Sequence, residues 1–270
     1  MTPPDNRITG KKINFMAKKE WFDSKFKNFM ATCLCDAIFA DAAKCSVEIL
    51  KKFGCEVLFP EEQTCCGQPA FNSGDFASAR KVIAHTMKVF GKNDYPVVVP
   101  SGSCAAMLFD SALVAFKDAD KATFESVKHF ASRVWELNDF LVNALGAEKI
   151  GGKFSAKIAV HNSCHTKDTG TPAAMKKLLQ SIDGVEIAEY DSDGCCGFGG
   201  TFSVVFPQLS EEMGVKKVKR VLACKPDVIT SADTSCLLHQ RGIAARLGLE
   251  YPAKHVCEIY AAAMKNGGLL

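Results

Sequence analysis

The cysteines of this chain repeat along its length. Eight of the 13 cysteines form two sets of four, with the same order and nearly the same spacing. The sets are Cys33, the pair Cys65 and Cys66, and Cys104, followed by Cys164, the pair Cys195 and Cys196, and Cys236. Corresponding members lie 131, 130, 130 and 132 positions apart, and a glycine (Gly67 or Gly197) follows each pair. A period this regular indicates two copies of one structural unit, so the fold must be a duplicated one.

Short apolar runs alternate with amphipathic segments around these cysteines. The predicted strands are 28–32, 55–59, 95–99, 157–161, 185–190 and 227–231. The predicted helices are 40–53, 75–90, 105–116, 134–145, 172–182, 207–223, 236–247 and 256–264, with Asp75 as the N-cap of the second. This alternation predicts an α/β fold with two pseudo-repeated halves, each a mainly parallel sheet flanked by helices. The expected divisions are a basic N-terminal extension (1–27), a first repeat with its connecting helix (28–150), and a second repeat with the C-terminal helix (151–270).

Every repeated cysteine follows a predicted strand. Cys33, Cys104, Cys164 and Cys236 come after strands directly, and each cysteine pair lies in the loop after a further strand. Binding sites of parallel sheets form at the carboxyl ends of the strands. We therefore expect three loops in each half to bring four thiols to one edge of the sheet.

Composition excludes several classes of protein. The chain carries 33 basic and 30 acidic residues, and a net charge of +3 is too small for a nucleic-acid-binding surface. No apolar run reaches the roughly 18 residues of a membrane span. We recognise no secretory signal, which predicts the reducing cytosol, where disulfides are rare.

Four thiolates in each half fit either zinc or an iron–sulfur cluster. Zinc sites usually contain Cys-x-x-Cys knuckles, which the repeat lacks, whereas its long spacings suit a cluster enclosed by several loops. A metal-free enzyme that cycles a disulfide between adjacent cysteines is a third alternative. Gly67 and Gly197 allow close backbone approach and leave N–H groups that can donate to sulfur.

Other candidate residues carry weaker signals. Cys45, Cys55, Cys224 and Cys257 lie within predicted helices or strands and are interpreted as small buried side chains. His161 and His165 flank Cys164. Of these, His165 is a candidate to orient a ligand or transfer a proton, with a structural role as the alternative.

The spacing resembles a known family. Cys33-x31-Cys-Cys-Gly, followed by Ser101 and Cys104, and the second copy from Cys164 to Asp233 and Cys236, resemble the CCG cysteine-rich domain family of iron–sulfur oxidoreductases. The sequence of 59–74 and the run Pro-Ser-Gly-Ser-Cys at 100–104 carry the resemblance, which covers roughly 28–245. Heterodisulfide reductase and the iron–sulfur subunit of glycolate oxidase contain such domains. Two tandem copies without a ferredoxin domain look most like the lactate utilization protein A family.

The resemblance implies a function. It implies an iron–sulfur redox subunit of a cytosolic complex that oxidises a 2-hydroxy acid, L-lactate to pyruvate, beside two other subunits, one iron–sulfur and one accessory. It implies one 4Fe-4S type cluster in each repeat, held by the eight repeated cysteines. In heterodisulfide reductase the motif ends in Cys-x-x-Cys, whereas Ser101 and Asp233 occupy the first of these positions here. Ser101 and Asp233, with His165, Gly67 and Gly197, are therefore candidate additional ligands or hydrogen-bonding neighbours of the centres.

Alternatives to this function remain open at this point. One is a zinc-binding structural or assembly module, and the other is a metal-free thiol–disulfide enzyme similar to heterodisulfide reductase. No catalytic residue and no substrate contact emerge from the sequence.

Overall fold

Two sheets of four strands form the framework of the chain. A computed structural model describes residues 24–192 and 194–270, so most of the predicted N-terminal extension lies outside the described residues. The strands of the first sheet are β1 (Phe26–Phe29), β2 (Glu56–Leu58), β3 (Val97–Val99) and β4 (Val134–Glu136). Those of the second are β5 (Lys153–Val160), β6 (Asp183–Ile187), β7 (Val228–Ser231) and β8 (Ala253–His255).

Helices connect the strands in both halves. In the first half they are α1 (Cys33–Ala37), α2 (Ala40–Lys52), α3 (Gln68–Asn72), α4 (Phe76–Phe90), α5 (Gly102–Ala106), α6 (Ala112–Ala115), α7 (Lys121–Ala131) and α8 (Leu137–Asp139). In the second they are α9 (Thr171–Gln180), α10 (Phe202–Val205), α11 (Pro207–Ala223), α12 (Thr234–Arg246) and α13 (Val256–Asn266). Two π-helical turns (Met107–Ser111 and Phe140–Ala144) follow α5 and α8. Asp75 caps α4 as predicted, since its side chain accepts a hydrogen bond from the Ser78 N–H.

The two sheets have the same topology. Their strand orders are β2-β1-β3-β4 and β6-β5-β7-β8, and every strand pair is parallel. The predicted α/β fold with two repeated halves is therefore confirmed. The two central strands are β1 and β3 in the first sheet and β5 and β7 in the second. From the first central strand the chain continues to one edge of the sheet, and from the second it continues to the opposite edge. Such a switch point is where parallel sheets open a crevice for a ligand.

Two sequence predictions were wrong at particular strands, and one strand was not predicted at all. The predicted helix 134–145 begins as strand β4, because Val134, Trp135 and Glu136 pair with β3 and the helix starts only at Leu137. β8 was not predicted, since three residues are too few to show a period. β1 begins at Phe26 rather than at 28. It includes Lys27, which is only 1% exposed, and a charged residue hides the strand from an apolar pattern.

The halves exchange their last helices. Helix α13 of the second half packs on α2 of the first, and α8 of the first half packs on α9 of the second. Tyr260 of α13 lies fully buried at the crossing, and its hydroxyl donates to Asn138 Oδ1 at 2.8 Å. One apolar core therefore runs through both halves and includes Ile49, Leu50 and Ile259. This packing holds the cysteine-bearing edges of the two sheets in a defined relation to each other.

Candidate metal centres

The first centre lies at the carboxyl edge of the first sheet. Cys33 follows β1, Cys65 and Cys66 follow β2, and Cys104 lies in α5 directly after β3. The Sγ atoms of Cys33 and Cys65 are 4.0 Å apart, and the Cys66 thiol contacts those of Cys65 and Cys104. The structure therefore brings the four predicted thiols together in one row, from exposed Cys33 to buried Cys66 and half-buried Cys104.

The second centre repeats this arrangement at the edge of the second sheet. Cys164 follows β5, Cys195 and Cys196 follow β6, and Cys236 lies in α12 after β7. The thiols of Cys164 and Cys195 are hydrogen-bonded, and the Sγ atoms of Cys196 and Cys236 are 3.3 Å apart. Cys164 is exposed, whereas Cys196 and Cys236 are buried. The second row therefore also runs from the surface into the protein.

The glycine after each pair turns its N–H towards sulfur. Gly67 has φ +90° and Gly197 has φ +92°, a left-handed conformation that favours glycine. The Gly67 N–H donates to Cys65 Sγ at 3.5 Å, and the Gly197 N–H donates to Cys195 Sγ at 3.4 Å. A Cβ atom at Gly197 would lie 2.6 Å from the Ser210 carbonyl oxygen. The backbone at both predicted glycines thus supports a sulfur atom of its row.

One thiol in the first row is biased towards the thiolate, namely Cys65, and two thiols are in the second, Cys195 and Cys236. Hydrogen bonds from the Cys33 and Cys66 thiols, then from the Gly67 N–H, lower the pKa of Cys65 far below its ordinary value. Its hydrogen-bond partner Cys33 has its pKa raised, first by that bond and then by burial. In the second row the pKa of Cys195 is lowered and that of Cys164 raised for the same reasons. The contacts among the thiols therefore favour a thiolate, the form that binds metals, at Cys65 and at Cys195.

Asp233 joins the two centres, whereas Ser101 makes no capping hydrogen bond. The Asp233 carboxylate is fully buried, and its Oδ1 accepts from the N–H and hydroxyl of Ser235 in its own helix. Its Oδ2 accepts from the Ser103 N–H, at the N-terminus of α5 in the first half, at 2.8 Å. The Gly102 N–H beside it donates to the Ala232 carbonyl oxygen at 3.0 Å. Asp233 therefore caps the helices that carry the last cysteine of both rows.

The loops after the cysteine pairs also touch each other. Asn72 Nδ2 donates to the Gly199 carbonyl oxygen at 3.4 Å, and the Ser73 hydroxyl donates to Thr201 Oγ1 at 3.0 Å. A side chain also connects two strand ends within the first half. The Gln63 side chain accepts from the Ala31 N–H after β1 and donates to the Pro60 carbonyl oxygen after β2. Hydrogen bonds between the halves therefore join the loops that carry the two rows.

Two histidines lie beside thiols of the second row. His165 is exposed, with its Nδ1 atom 3.5 Å from Cys164 Sγ. His161 is 1% exposed, and one of its ring nitrogens lies within 4.8 Å of the Sγ atoms of both Cys196 and Cys236. The equivalent position of the first half, three residues before Cys33, is Met30, so the repeat carries no signal for a histidine at position 161.

The comparisons with known proteins agree with the duplicated pattern. Residues 28–109 and 158–241 each match the CCG cysteine-rich domain. The chain is 38% identical over 244 residues to lactate utilization protein A 1 of Bacillus mycoides, which covers 88% of this chain and 97% of that protein. It is 39% identical over 238 residues to lactate utilization protein A of Oceanobacillus iheyensis, which covers 87% of this chain and 96% of that protein.

One solved structure shares the fold. The crystal structure of a hypothetical protein from Helicobacter pylori superimposes with a TM-score of 0.66 and 11% sequence identity. The match covers 90% of this chain and 51% of that one, so this chain spans about half the length of that structure. Taken together, the two domain matches and the identity to full-length relatives show that this chain belongs to the CCG cysteine-rich domain family, among the lactate utilization A proteins.

Proposed function

We propose that this chain is an iron–sulfur electron carrier with one 4Fe-4S type cluster in each half. It acts as a subunit of a cytosolic complex that oxidises L-lactate to pyruvate, beside two other subunits. One observation carries the iron–sulfur part, namely the two equivalent sheet edges that each gather four thiols from three loops. Packing alone would not require adjacent cysteines in both halves.

The shape of the thiol rows favours a cluster over a single zinc ion. A tetrahedral zinc with four thiolates at about 2.3 Å places every pair of sulfurs about 3.8 Å apart. In the described residues, no three thiols of either row have all their Sγ atoms within 4.8 Å of one another. The rows are therefore more extended than one zinc requires, and an extended arrangement fits a centre with several irons.

The residues of the chain have separate roles in this proposal. The eight thiolates hold the clusters, and the N–H groups of Gly67 and Gly197 donate to sulfur and thereby stabilise its negative charge. Bound iron–sulfur clusters supply one-electron redox chemistry. The exposed thiols Cys33 and Cys164 give each centre one contact with the surface, where a partner can exchange electrons. Hydrogen bonds join the loops around the two centres.

The substrate of the proposed complex is inferred from the name of the relatives. Their name, lactate utilization protein A, supports lactate as the substrate of the complex. None of the helices within the described ranges has the length and apolarity to cross a bilayer.

Metal analysis of anaerobically purified full-length protein tests the proposal. We expect brown protein with several irons and matching acid-labile sulfide per chain, and an electron paramagnetic resonance signal on reduction. Partner subunits added to this protein should reduce its clusters in the presence of L-lactate but not without it. Colourless protein that contains only zinc after anaerobic reconstitution would refute the iron–sulfur proposal. Brown protein that lactate and the partners fail to reduce would refute the lactate role alone.

A further inference from the structure

His161 and Met30 occupy the same position in the two halves. Met30 directly follows β1, and its N–H donates to the Val98 carbonyl oxygen at 3.0 Å. His161 directly follows β5, and its N–H donates to the Thr230 carbonyl oxygen at 2.7 Å. In both cases the acceptor belongs to the residue paired with the last residue of the strand. The duplicated backbone therefore presents a methionine at the first centre and an imidazole at the second.

The His161 ring is buried and makes no hydrogen bond to an oxygen or nitrogen atom. Its side chain is 1% exposed, and its polar contact is with the Cys236 thiol of the second row. Leaving a buried polar group unpaired is costly, so such groups generally have a partner. A bound metal would supply that partner, because neutral imidazole nitrogen is a common ligand of iron and zinc.

The ring points at the buried end of the second row. Among the described residues, His161, Cys196 and Cys236 form the only group of three His, Cys, Asp or Glu side chains whose ligand atoms all lie within 4.8 Å of one another. The first row has no such group, because Met30 takes the place of the histidine. His165 cannot replace His161 there, since it lies beside exposed Cys164 at the other end of the row.

We propose that a ring nitrogen of His161 binds the metal of the second centre, which gives that centre one more strong protein ligand than the first. The inference rests on the proposed metal occupancy of the rows and adds a chemical difference between them. Histidine ligation of iron–sulfur clusters is chemically precedented, because imidazole replaces thiolate on one iron in some two-iron centres.

Pulsed electron paramagnetic resonance tests this assignment. Anaerobic full-length protein is prepared with natural and with 15N-labelled histidine, and its reduced clusters are measured. We expect a strongly coupled histidine nitrogen in the wild type that changes with the isotope. The H161M variant places at position 161 the methionine that the first half has at position 30. It should lose the coupling, and circular dichroism should show that it is folded. The H165Q variant is the matched control and should keep the coupling.

Two results would overturn the inference. One is a wild-type protein whose histidine coupling is absent or as weak as that of a hydrogen bond to sulfur. The other is a coupling that survives in H161M. If the protein holds zinc, the proposed iron–sulfur function fails, and the same measurement on cobalt(II)-substituted protein still decides the role of His161. Protein that binds neither metal refutes both.

Discussion

The two halves share their thiols and their backbone but differ in the residues around them. The sheets have one strand order, the rows have one arrangement, and Gly67 and Gly197 have φ angles within 2° of each other. Around the rows, Met30 corresponds to His161 and Ser101 to Asp233. The features retained in both halves are those that the proposed metal centres require, whereas the substituted side chains lie around the thiol rows.

A third difference lies at the ends of β4 and β8. Glu136 and His255 are the last residues of these strands, and they pair with Val99 and Ser231, the last residues of β3 and β7. Both are buried and both cap the helix that crosses to the other half. The same structural task is therefore performed by a carboxyl group in one half and by an imidazole in the other.

Loss of one buried cysteine should empty one centre and leave the other. We expect C66S and C196S each to remove about half of the bound iron, because a thiolate ligand is replaced by a poor one. Iron and sulfide per chain, measured on anaerobic protein, check this. C45S is the control and should keep the full iron content, since Cys45 lies in α2 outside both rows. If both centres empty together in either variant, the halves are not independent.

An alanine after the cysteine pair should harm the second half more than the first. At Gly197 the added Cβ would lie 2.6 Å from the Ser210 carbonyl oxygen and 2.8 Å from Met213 Cβ, but at Gly67 its nearest neighbours are 3.4 Å away. We expect a loss of about 3 kcal/mol in G197A, from left-handed strain plus overpacking, and about 1 kcal/mol in G67A, from strain alone. Denaturation of both variants under anaerobic conditions measures the difference. Equal losses would contradict the tighter packing of the second loop.

Removal of the shared cap should destabilise the junction. D233A leaves the Ser103 and Ser235 N–H groups without their acceptor, and we expect a loss of about 2 kcal/mol. S101A should cost less than about 0.5 kcal/mol, because that side chain makes no capping hydrogen bond. Hydrogen exchange at the first turns of α5 and α12 is the measurement. Faster exchange confined to α12 in D233A would show that Asp233 does not support both helices.

Glu136 and His255 should give opposite pH dependence. Burial raises the pKa of Glu136 to about 7, so the folded protein binds more protons than the unfolded chain between pH 4.5 and 7, and this contribution to stability is lost as pH rises. Burial lowers the pKa of His255 to about 4, so its contribution is lost as pH falls from 6.5 to 4. Each slope is about 1 kcal/mol per pH unit.

Matched variants isolate these slopes. Relative to the wild type, E136Q should become more stable as pH rises between 4.5 and 7. Relative to the wild type, H255Q should become less stable as pH rises from 4 to 6.5. Melting temperatures measured at a series of pH values on anaerobic protein give both differences. If the stability difference from the wild type changes with pH in the same direction in both variants, the opposite pKa shifts of Glu136 and His255 are contradicted.

Much of the fold could be predicted because the repeat constrains it. Equal cysteine offsets imply two copies, and the alternation of strands and helices implies parallel sheets with the thiols at one edge. The errors fell where a short or charged segment gains its structure from its neighbours. β4 and β8 exist because β3 and β7 offer an edge to pair with, and Lys27 lies in β1 because burial of its side chain is accommodated beside Phe140, whose ring centroid lies 5.9 Å from its Nζ atom.

By itself, the sequence determined the duplicated α/β fold, the eight thiols and the two glycines, because these depend on spacing along the chain and on local backbone conformation. The tertiary structure alone decided that His161 rather than His165 meets the buried thiols, that Asp233 caps helices of both halves, and that the last helices are exchanged. His161 and His165 lie on either side of Cys164 in the chain, so only the packed structure shows which of them lies against the buried thiols. Contacts between the halves join residues far apart in the chain, as between Ser103 and Asp233, and no local pattern encodes them.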